Sequence, residues 1–265
     1  MNQKNPIEIL AAEGSVIILR NLWENWRDSK EGKGSTATTF KVLESLVKST
    51  RTLNDRLREL RELGLVKKEG RNYSLTNLGI LFYPVLRKVE MLQYEGRDAF
   101  EFDQRKDSRA WSREGGTIIL AAKKELLITT RQFRSLLNSE VYKETHPLFE
   151  EAANRGVKIR VIADPSIAEN VKKIITDDFK GELKYINSEF LENPPGILKP
   201  IFLDDFCHIM IADRTHWLTL RPHKSENEHS GQRCLEDPVT AEYLADIFET
   251  LWTLADYIGR GLARK

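Results

Sequence analysis

The first third of the chain contains four leucines at helical spacing, followed directly by a glycine. The leucines recur at steps of four, three and three residues, so a helix places all of them on one buried face. They are Leu53, Leu57, Leu60 and Leu63. Ser49 or Thr50 can cap the start of this helix, because a short hydroxyl side chain accepts hydrogen bonds from the unpaired amides of the first turn. Gly64 suits the left-handed conformation that commonly ends a helix.

Two helices are predicted before this one and a hairpin after it. Apolar residues at helical spacing predict helices over residues 7–26 and 36–47. After Gly64 the pattern changes to strand, turn and strand over residues 65–76. The hairpin carries polar and basic side chains that can reach a DNA backbone or the adjacent minor groove. These side chains are Lys67, Lys68, Arg71 and Asn72.

The polar faces of the leucine helix carry side chains that can hydrogen-bond base edges or pair with phosphates in a major groove. They are Arg51, Thr52, Asn54, Asp55, Arg56, Arg58 and Arg61. We interpret this helix as a DNA-recognition helix. Two alternatives are a solvated, ion-paired face and a helix used only for protein contacts.

The net charge of +1 is unevenly distributed along the chain. Residues 36–75 contain nine Lys and Arg against five Asp and Glu, a net charge of +4, which leaves −3 for all other residues. This asymmetry is expected when one module meets phosphate groups and the other does not.

The length of 265 residues predicts two domains. No apolar run approaches the roughly 18 residues that a membrane span needs, and no apolar segment follows the first lysine as in a secretory signal. We therefore expect a cytoplasmic protein without membrane partners. Cys207 and Cys234 lie 27 residues apart and predict buried thiols, neither a zinc ribbon nor a disulfide scaffold.

A further helix, capped by Thr76, is predicted over residues 76–92, with more apolar positions than one buried stripe needs. We expect it to contact another domain or a second copy, and a homodimer would place two recognition helices on successive major-groove faces. The predicted boundaries are residues 1–95 for a DNA-binding domain that includes this helix, 96–112 for a linker and 113–265 for a second domain.

Residues 36–79 resemble the winged helix-turn-helix of many bacterial and archaeal regulators. The run STRTLNDRLRELRELGLVK, residues 49–67, is similar to the recognition helix and first wing strand of that family. The resemblance implies an α+β domain that binds double-stranded DNA.

The C-terminal half alternates apolar strand patterns with helical patterns and predicts an α/β domain with mixed strand order. Strands are predicted over residues 125–130, 156–164, 182–186, 200–203, 206–212 and 217–220. Helices are predicted over residues 115–124, 140–155, 165–178 and 237–258.

Residues 110–262 resemble the phospholipase D-like domain of TrmB-type archaeal regulators. AAKKELLITT at 121–130, RGVKIRV at 155–161, the stretch from 204 to 213 and FETLW at 248–252 carry the resemblance. In full length the plan is also similar to regulators of methanogenic archaea that join a winged helix to such a domain.

Active members of the phospholipase D superfamily carry His-x-Lys-x4-Asp on the strand that corresponds to residues 206–213. Asp213 matches the aspartate, but Phe206 stands at the histidine position and His208 at the lysine position. Phenylalanine cannot attack phosphorus, and a neutral imidazole is a poor replacement for a lysine. We therefore expect that the chain is not an enzyme. The alternative is a DNA-associated phosphodiesterase or nuclease of this superfamily.

Polar residues at predicted strand ends are candidates for an effector pocket, because α/β domains usually bind ligands there. They are Thr129, Thr130, Arg131, Asp164, Ser166, Asp204, Asp205, His208 and Asp213. No cofactor is implied, and no metal is expected, since the spacing of His216, His223, His229 and Cys234 matches no standard zinc pattern.

The sequence thus predicts a dimeric transcriptional regulator in which an unidentified effector in the C-terminal domain changes the spacing of two winged helices. Besides the enzyme, a second alternative is an interaction module without an effector.

Overall fold

The computed structural model describes residues 9, 10, 12–30, 32, 34–91, 99–103, 110–130, 139–167, 169–186, 208–222 and 229–262. The chain divides into two compact units, Met1–Leu92 and Gln93–Lys265. None of the helices within these described ranges combines the length and apolar composition that a bilayer span requires.

The first unit combines helices with a small antiparallel sheet. Its helices are α1 (Glu13–Lys30), α2 (Phe40–Glu44), α3 (Thr50–Glu62) and α4 (Asn77–Met91). Its strands are β1 (Thr38–Thr39), β2 (Val66–Glu69) and β3 (Asn72–Leu75), in the order β1-β3-β2. β2 and β3 form the predicted hairpin, in which Val66 pairs with Leu75 and Glu69 with Asn72.

Helix α3 has the predicted start, buried face and end. The Ser49 hydroxyl accepts a hydrogen bond from the Thr52 amide at 3.1 Å, which identifies Ser49 as the cap. Leu53, Leu57 and Leu60 are buried in one apolar core with Leu22 and Trp23 of α1. Gly64 has φ +71°, a conformation that a side chain would strain. The predicted cap, buried face and glycine end are confirmed, although the fourth predicted leucine, Leu63, is only partly buried against this core.

The prediction of a helix over residues 36–47 is wrong at both ends. Thr38 and Thr39 pair with Tyr73 and Asn72 as the third strand of the sheet, and α2 covers only Phe40–Glu44. β-branched threonines fit a strand better than a helix, because their side chains lose rotamer freedom against the preceding helical turn.

The second unit is built on a seven-stranded sheet. Its strands are β4 (Phe100–Asp103), β5 (Glu125–Thr130), β6 (Lys158–Ala163), β7 (Glu182–Tyr185), β8 (His208–Ala212), β9 (His216–Pro222) and β10 (His229–Cys234). The order is β4-β10-β9-β8-β5-β6-β7. β5, β6 and β7 are parallel, and all other neighbours are antiparallel. The predicted mixed sheet is confirmed.

Helices cover both faces of this sheet. They are α5 (Ala110–Ala121), α6 (Ser139–Asn154), α7 (Glu169–Lys173), which continues as a π-helical turn to Asp178, and α8 (Pro238–Leu262). Ile159 and Val161 of β6 belong to the core with Ile118 of α5. Arg160, between them, points to the other face and contacts α8, since side chains alternate along a strand.

Two strands lie where the sequence predicted none. β4 and the start of α5 fall within the predicted linker over residues 96–112. β10 has the polar sequence HSGQRC, which shows no apolar alternation. A Cβ at Gly231 would lie 2.5 Å from the ring of Phe102 and 2.6 Å from the carbonyl oxygen of Thr219, so glycine permits this close approach. In addition, the helix predicted from residue 165 begins only at Glu169.

Candidate nucleic-acid interface

One face of α3 is exposed and carries charged and amide side chains. Arg51, Asn54, Arg58 and Arg61 are all exposed and recur at steps of three, four and three residues, so they lie side by side. Asp55 and Glu62 share this side of the helix. We call these six residues the α3 face. It runs the length of a 13-residue helix, about 20 Å, opposite the buried leucines.

An ion pair lies within the α3 face. Arg58 donates a hydrogen bond from Nη2 to Oδ1 of Asp55 at 3.1 Å. The side chains of Arg58 and Asp55 are 65% and 44% exposed, so both reach solvent while they contact each other. The face therefore carries three guanidinium groups, one of which is held by a neighbouring carboxylate.

The hairpin presents a second set of cations. Lys67, Lys68, Arg71 and Asn72 are all exposed, as predicted from the sequence. Lys67 pairs with Glu69 at 2.7 Å, and Nζ of Lys68 lies 5.5 Å from the centre of the Tyr73 ring. The hairpin tip thus combines three cations with one carboxylate.

Two of the predicted DNA-binding residues lie elsewhere. Arg56 pairs with Glu59, and their side chains are only 24% and 6% exposed. A Cβ at Gly14 of α1 would lie 3.5 Å from Cγ of Arg56 and 3.7 Å from Cγ2 of Thr52, so α1 lies against both side chains. The Thr52 hydroxyl is also 2.9 Å from that of Ser49. Arg56 and Thr52 therefore serve the packing and capping of α3 and are removed from the candidate interface.

Several predicted effector-pocket residues meet at one edge of the larger sheet, where β5 and β6 end and β8 begins. Thr130 pairs in register with Ala163, which directly precedes Asp164. The Thr129 hydroxyl accepts a hydrogen bond from the Ile209 amide at 3.0 Å, and Nδ1 of His208 is 3.1 Å from the Thr130 hydroxyl oxygen. Asp164 accepts a hydrogen bond from the Ser166 amide at 2.8 Å. Arg131, Asp204 and Asp205 lie outside the described residues.

Asp213 lies at the opposite edge of the sheet from these residues, contrary to its prediction as a pocket residue. It is five residues beyond His208 along β8, a separation of about 16 Å in a strand. Its carboxylate accepts hydrogen bonds from three consecutive backbone amides, of Lys123 at 2.8 Å, Lys124 at 2.8 Å and Glu125 at 2.9 Å. Asp213 thus caps the start of β5. Phe206, which stands at the histidine position of the His-x-Lys-x4-Asp motif, lies outside the described residues.

Asp213, Arg214 and Thr215 form the three-residue turn between β8 and β9. Asp213 and Arg214 have positive φ, 52° and 55°, and the Thr215 amide donates to the Ala212 carbonyl at 3.0 Å. Turn positions with positive φ are usually occupied by glycine or asparagine, because most side chains strain the left-handed conformation. The contacts of Asp213 and Arg214 offset this strain.

A buried ion cluster lies between α8 and the sheet, and the sequence analysis missed it. Arg160 contacts Glu249 at 2.6 Å and Glu125 at 3.2 Å. Arg214 contacts Glu125 at 2.9 Å, Glu249 at 3.0 Å and Glu242 at 3.5 Å. The sequence signal for this cluster is Arg160, an arginine between apolar residues of a buried strand. A buried arginine requires a carboxylate partner, so its position could have predicted an ion pair.

The cluster keeps both guanidinium groups charged. Burial by itself lowers the pKa of Arg160, but the hydrogen bond and charge of Glu249, together with Glu125, outweigh burial and raise the pKa. Burial likewise lowers the pKa of Arg214, and the charges of Glu125, Glu242 and Glu249 raise it overall. The Arg160 guanidinium also lies 5.3 Å from the centre of the Phe248 ring. The cluster therefore joins α8 to the sheet by charge and by packing.

Two of the histidines considered for a metal site, His216 and His229, lie at opposite ends of the β9–β10 pair. Nδ1 of His216 accepts a hydrogen bond from the Glu236 amide at 2.9 Å. His229 belongs to strand β10. Cys234 is buried, as predicted, and His223 lies outside the described residues. Within the described ranges, no group of three or more histidine, cysteine or acidic side chains has an arrangement that could hold a metal ion.

The sequence matches no protein-family model and no curated protein. Solved structures that are similar to the chain include the following three. TrmBL2, described as an archaeal chromatin protein with a novel mode of DNA binding, is 14% identical over 89% of this chain and 98% of its own, with a TM-score of 0.41. NUC from Salmonella typhimurium, a phospholipase D family member, is 13% identical over 59% of this chain and 94% of its own, with a TM-score of 0.40. NucT from Helicobacter pylori is 10% identical over 59% of this chain and 96% of its own, with a TM-score of 0.42.

These matches correct one prediction. From the sequence we expected that the chain is not an enzyme, but the similar structures include a phospholipase D family member. We therefore do not propose that the C-terminal domain is inactive. All three TM-scores are below 0.5, so we derive the function from the residues of this chain.

Proposed function

We propose that the first unit is a winged helix-turn-helix that binds double-stranded DNA through the α3 face and the β2–β3 hairpin, within a transcriptional regulator. The observation that carries this proposal is the division of α3 into two opposite faces. Its leucines are buried in the core of the unit, whereas Arg51, Asn54, Arg58 and Arg61 are exposed along one line. A rigidly packed helix with such a face suits insertion into a DNA groove.

The dimensions and the chemistry of the α3 face support the same proposal. The major groove of B-DNA is about 12 Å wide and admits one α-helix, and arginine and asparagine are the side chains that pair best with guanine and adenine edges there. Lys67, Lys68 and Arg71 on the hairpin are suited to the sugar-phosphate backbone beside the groove. The arginines read bases while the hairpin positions the helix.

We propose a homodimer joined through α4, because the sequence of this helix has more apolar positions than a single buried face requires. Two copies of α3 would then meet successive turns of the same DNA face. The edge of the larger sheet with Thr129, Thr130, Asp164, Ser166 and His208 is the proposed effector site. An effector would regulate DNA binding only by binding the two states of the dimer with different affinities.

Arg58→Ala tests the DNA-binding proposal, with Arg56→Ala as the matched control. We expect Arg58→Ala to weaken binding to specific DNA about 10-fold, since one bidentate arginine contact carries on the order of 1–3 kcal/mol. Arg56→Ala removes the same charge from the same helix at a position that packs against α1 and lies off the α3 face. At a temperature where the variant is folded, it is expected to leave specific binding within about threefold. Binding of the full chain to its own upstream DNA and to random DNA, measured across a salt series, provides the comparison.

The outcome that would contradict the proposal is equal, weak binding of the wild type to both DNAs at every salt concentration. Loss of binding in Arg56→Ala but not in Arg58→Ala would instead refute the assignment of the α3 face. Thermal melting of each variant separates a lost contact from a lost fold.

A second candidate function is phosphodiester hydrolysis at the edge of the larger sheet. The observation that favours it is the contact between Nδ1 of His208 and the Thr130 hydroxyl, which orients an imidazole where α/β sheets bind ligands. Hydrolysis of bis(4-nitrophenyl) phosphate by the wild type, abolished in His208→Ala with DNA binding retained, would establish this function. Absence of hydrolysis above the uncatalysed rate would eliminate it.

A further inference from the structure

We infer that Asp55 is a specificity-determining residue, which together with Arg58 selects a G·C base pair within each half-site of the DNA. The inference rests on the proposed DNA-binding function and extends it to the bases that are read. It starts from the hydrogen bond within the α3 face, from Nη2 of Arg58 to Oδ1 of Asp55 at 3.1 Å.

Arg58 occupies the middle of the exposed arc of α3. Arg51 and Arg58 are seven positions apart, so at 3.6 residues per turn only about 20° separates their directions around the helix. Asn54 and Arg61 lie on one flank of Arg58, and Asp55 lies on the other. Side chains of a helix lean toward its N-terminus, so Asp55, three residues before Arg58, is in reach of the guanidinium. The ion pair therefore fixes the direction of the central arginine.

The carboxylate of Asp55 lowers the general affinity of the α3 face for DNA. Phosphate groups repel it, so it lowers sequence-independent affinity. Because both partners are largely exposed, the pair also adds little to the stability of the fold. Asp55 favours DNA binding only where the DNA offers a hydrogen-bond donor to its oxygens.

The major-groove edge of a G·C pair matches the two side chains. Guanine presents two acceptors, N7 and O6, which suit the guanidinium of Arg58, and cytosine presents the N4 amino donor, which suits the carboxylate of Asp55. An A·T pair presents an acceptor, a donor and an acceptor in that order, so Arg58 would face the adenine amino group and Asp55 the thymine O4. The ordered pair of side chains thus favours G·C and rejects A·T.

Selection of DNA sites from a randomised duplex pool by the full-length chain tests the inference. The wild type is expected to select a G·C pair at one position of each half-site by about 10-fold or more over A·T. Asp55→Ala is expected to lose this preference at that position alone, while its affinity for random DNA rises because a negative charge is gone. Asp55→Asn, which keeps the size of the side chain, should behave like Asp55→Ala.

Glu62→Ala is the matched control, because it removes a carboxylate from the same face and leaves the Asp55–Arg58 pair in place. It should raise affinity for random DNA and retain the selected G·C pair. Arg58→Lys keeps the charge but loses the bidentate geometry, and should lose the G·C preference with little change in random-DNA affinity.

The outcomes distinguish this inference from the function on which it rests. A wild-type chain that selects a motif which stays unchanged in Asp55→Ala and Asp55→Asn overturns the inference and leaves DNA binding intact. A wild-type chain that selects no motif and binds no DNA overturns the proposed function and the inference with it. Circular dichroism confirms that each variant compared is folded.

Discussion

Glu249→Ala is expected to lower the free energy of unfolding of the larger unit by about 3–5 kcal/mol. The side chain of Glu249 is only 10% exposed and pairs with two arginines, Arg160 at 2.6 Å and Arg214 at 3.0 Å. Removal of one carboxylate leaves both guanidinium groups buried with less compensation, and the desolvation of a charge then acts against folding. Urea denaturation followed by circular dichroism measures the change, fitted with separate transitions where the two units unfold separately.

Glu151→Ala is the control for this prediction. Glu151 also pairs with an arginine, Arg155 at 2.7 Å, but its side chain is 57% exposed. Because solvent screens that pair, its loss is expected to cost less than about 1 kcal/mol. Equal effects of the two substitutions would show that burial of the cluster contributes nothing to its strength and would refute the prediction.

Asp213→Ala is expected to destabilise the larger unit by about 3 kcal/mol, the second largest effect. The carboxylate accepts three backbone hydrogen bonds at the start of β5, and hydrogen bonds to a charged group contribute about 1.5–3 kcal/mol each. The amides of Lys123 and Lys124 are near the surface, where water replaces part of the lost energy. Alanine at φ 52° adds strain, since aspartate tolerates the left-handed conformation better.

Asp213→Asn separates these contributions. Asparagine retains the preference for positive φ and one acceptor oxygen, so it should recover roughly half of the lost stability. DNA binding at a temperature where both variants are folded should equal that of the wild type. A large loss of DNA binding or effector response without loss of stability would contradict the role of Asp213 as a cap and return it to a functional site.

Much of α3 was predictable because its determinants are local. The leucine spacing, the Ser49 cap and the glycine at φ +71° all act within about fifteen residues, and helical hydrogen bonds join residues only four apart. The hairpin was predictable for the same reason. What the pattern did not indicate is that Arg56 and Thr52, polar residues on the same helix, lie against α1. The spacing of apolar residues identifies the buried face of a helix. Which polar residues beside that face are also covered depends on where the neighbouring helix lies.

The larger unit was predictable as a class of fold but less so in its details. Buried parallel strands with apolar runs were recognisable, whereas β10, with a glycine at close contact with Phe102, has no strand-like alternation. The predicted effector pocket was likewise only partly correct. Thr130 and His208 come together because the ends of neighbouring strands share an edge, but the antiparallel return of β8 carries Asp213 to the far edge.

The sequence alone determined the leucine face, cap and glycine end of α3, the basic hairpin and the alternation of strands and helices, because each depends on interactions between residues close in the chain. Only the tertiary structure decided three features. They are the packing of Arg56 against α1, the capping role of Asp213 and the ion cluster of Arg160 with Glu249. Arg160 and Glu249 are 89 residues apart. Such pairs leave no periodic signal, since the burial that strengthens them exists only after the sheet and α8 have packed together.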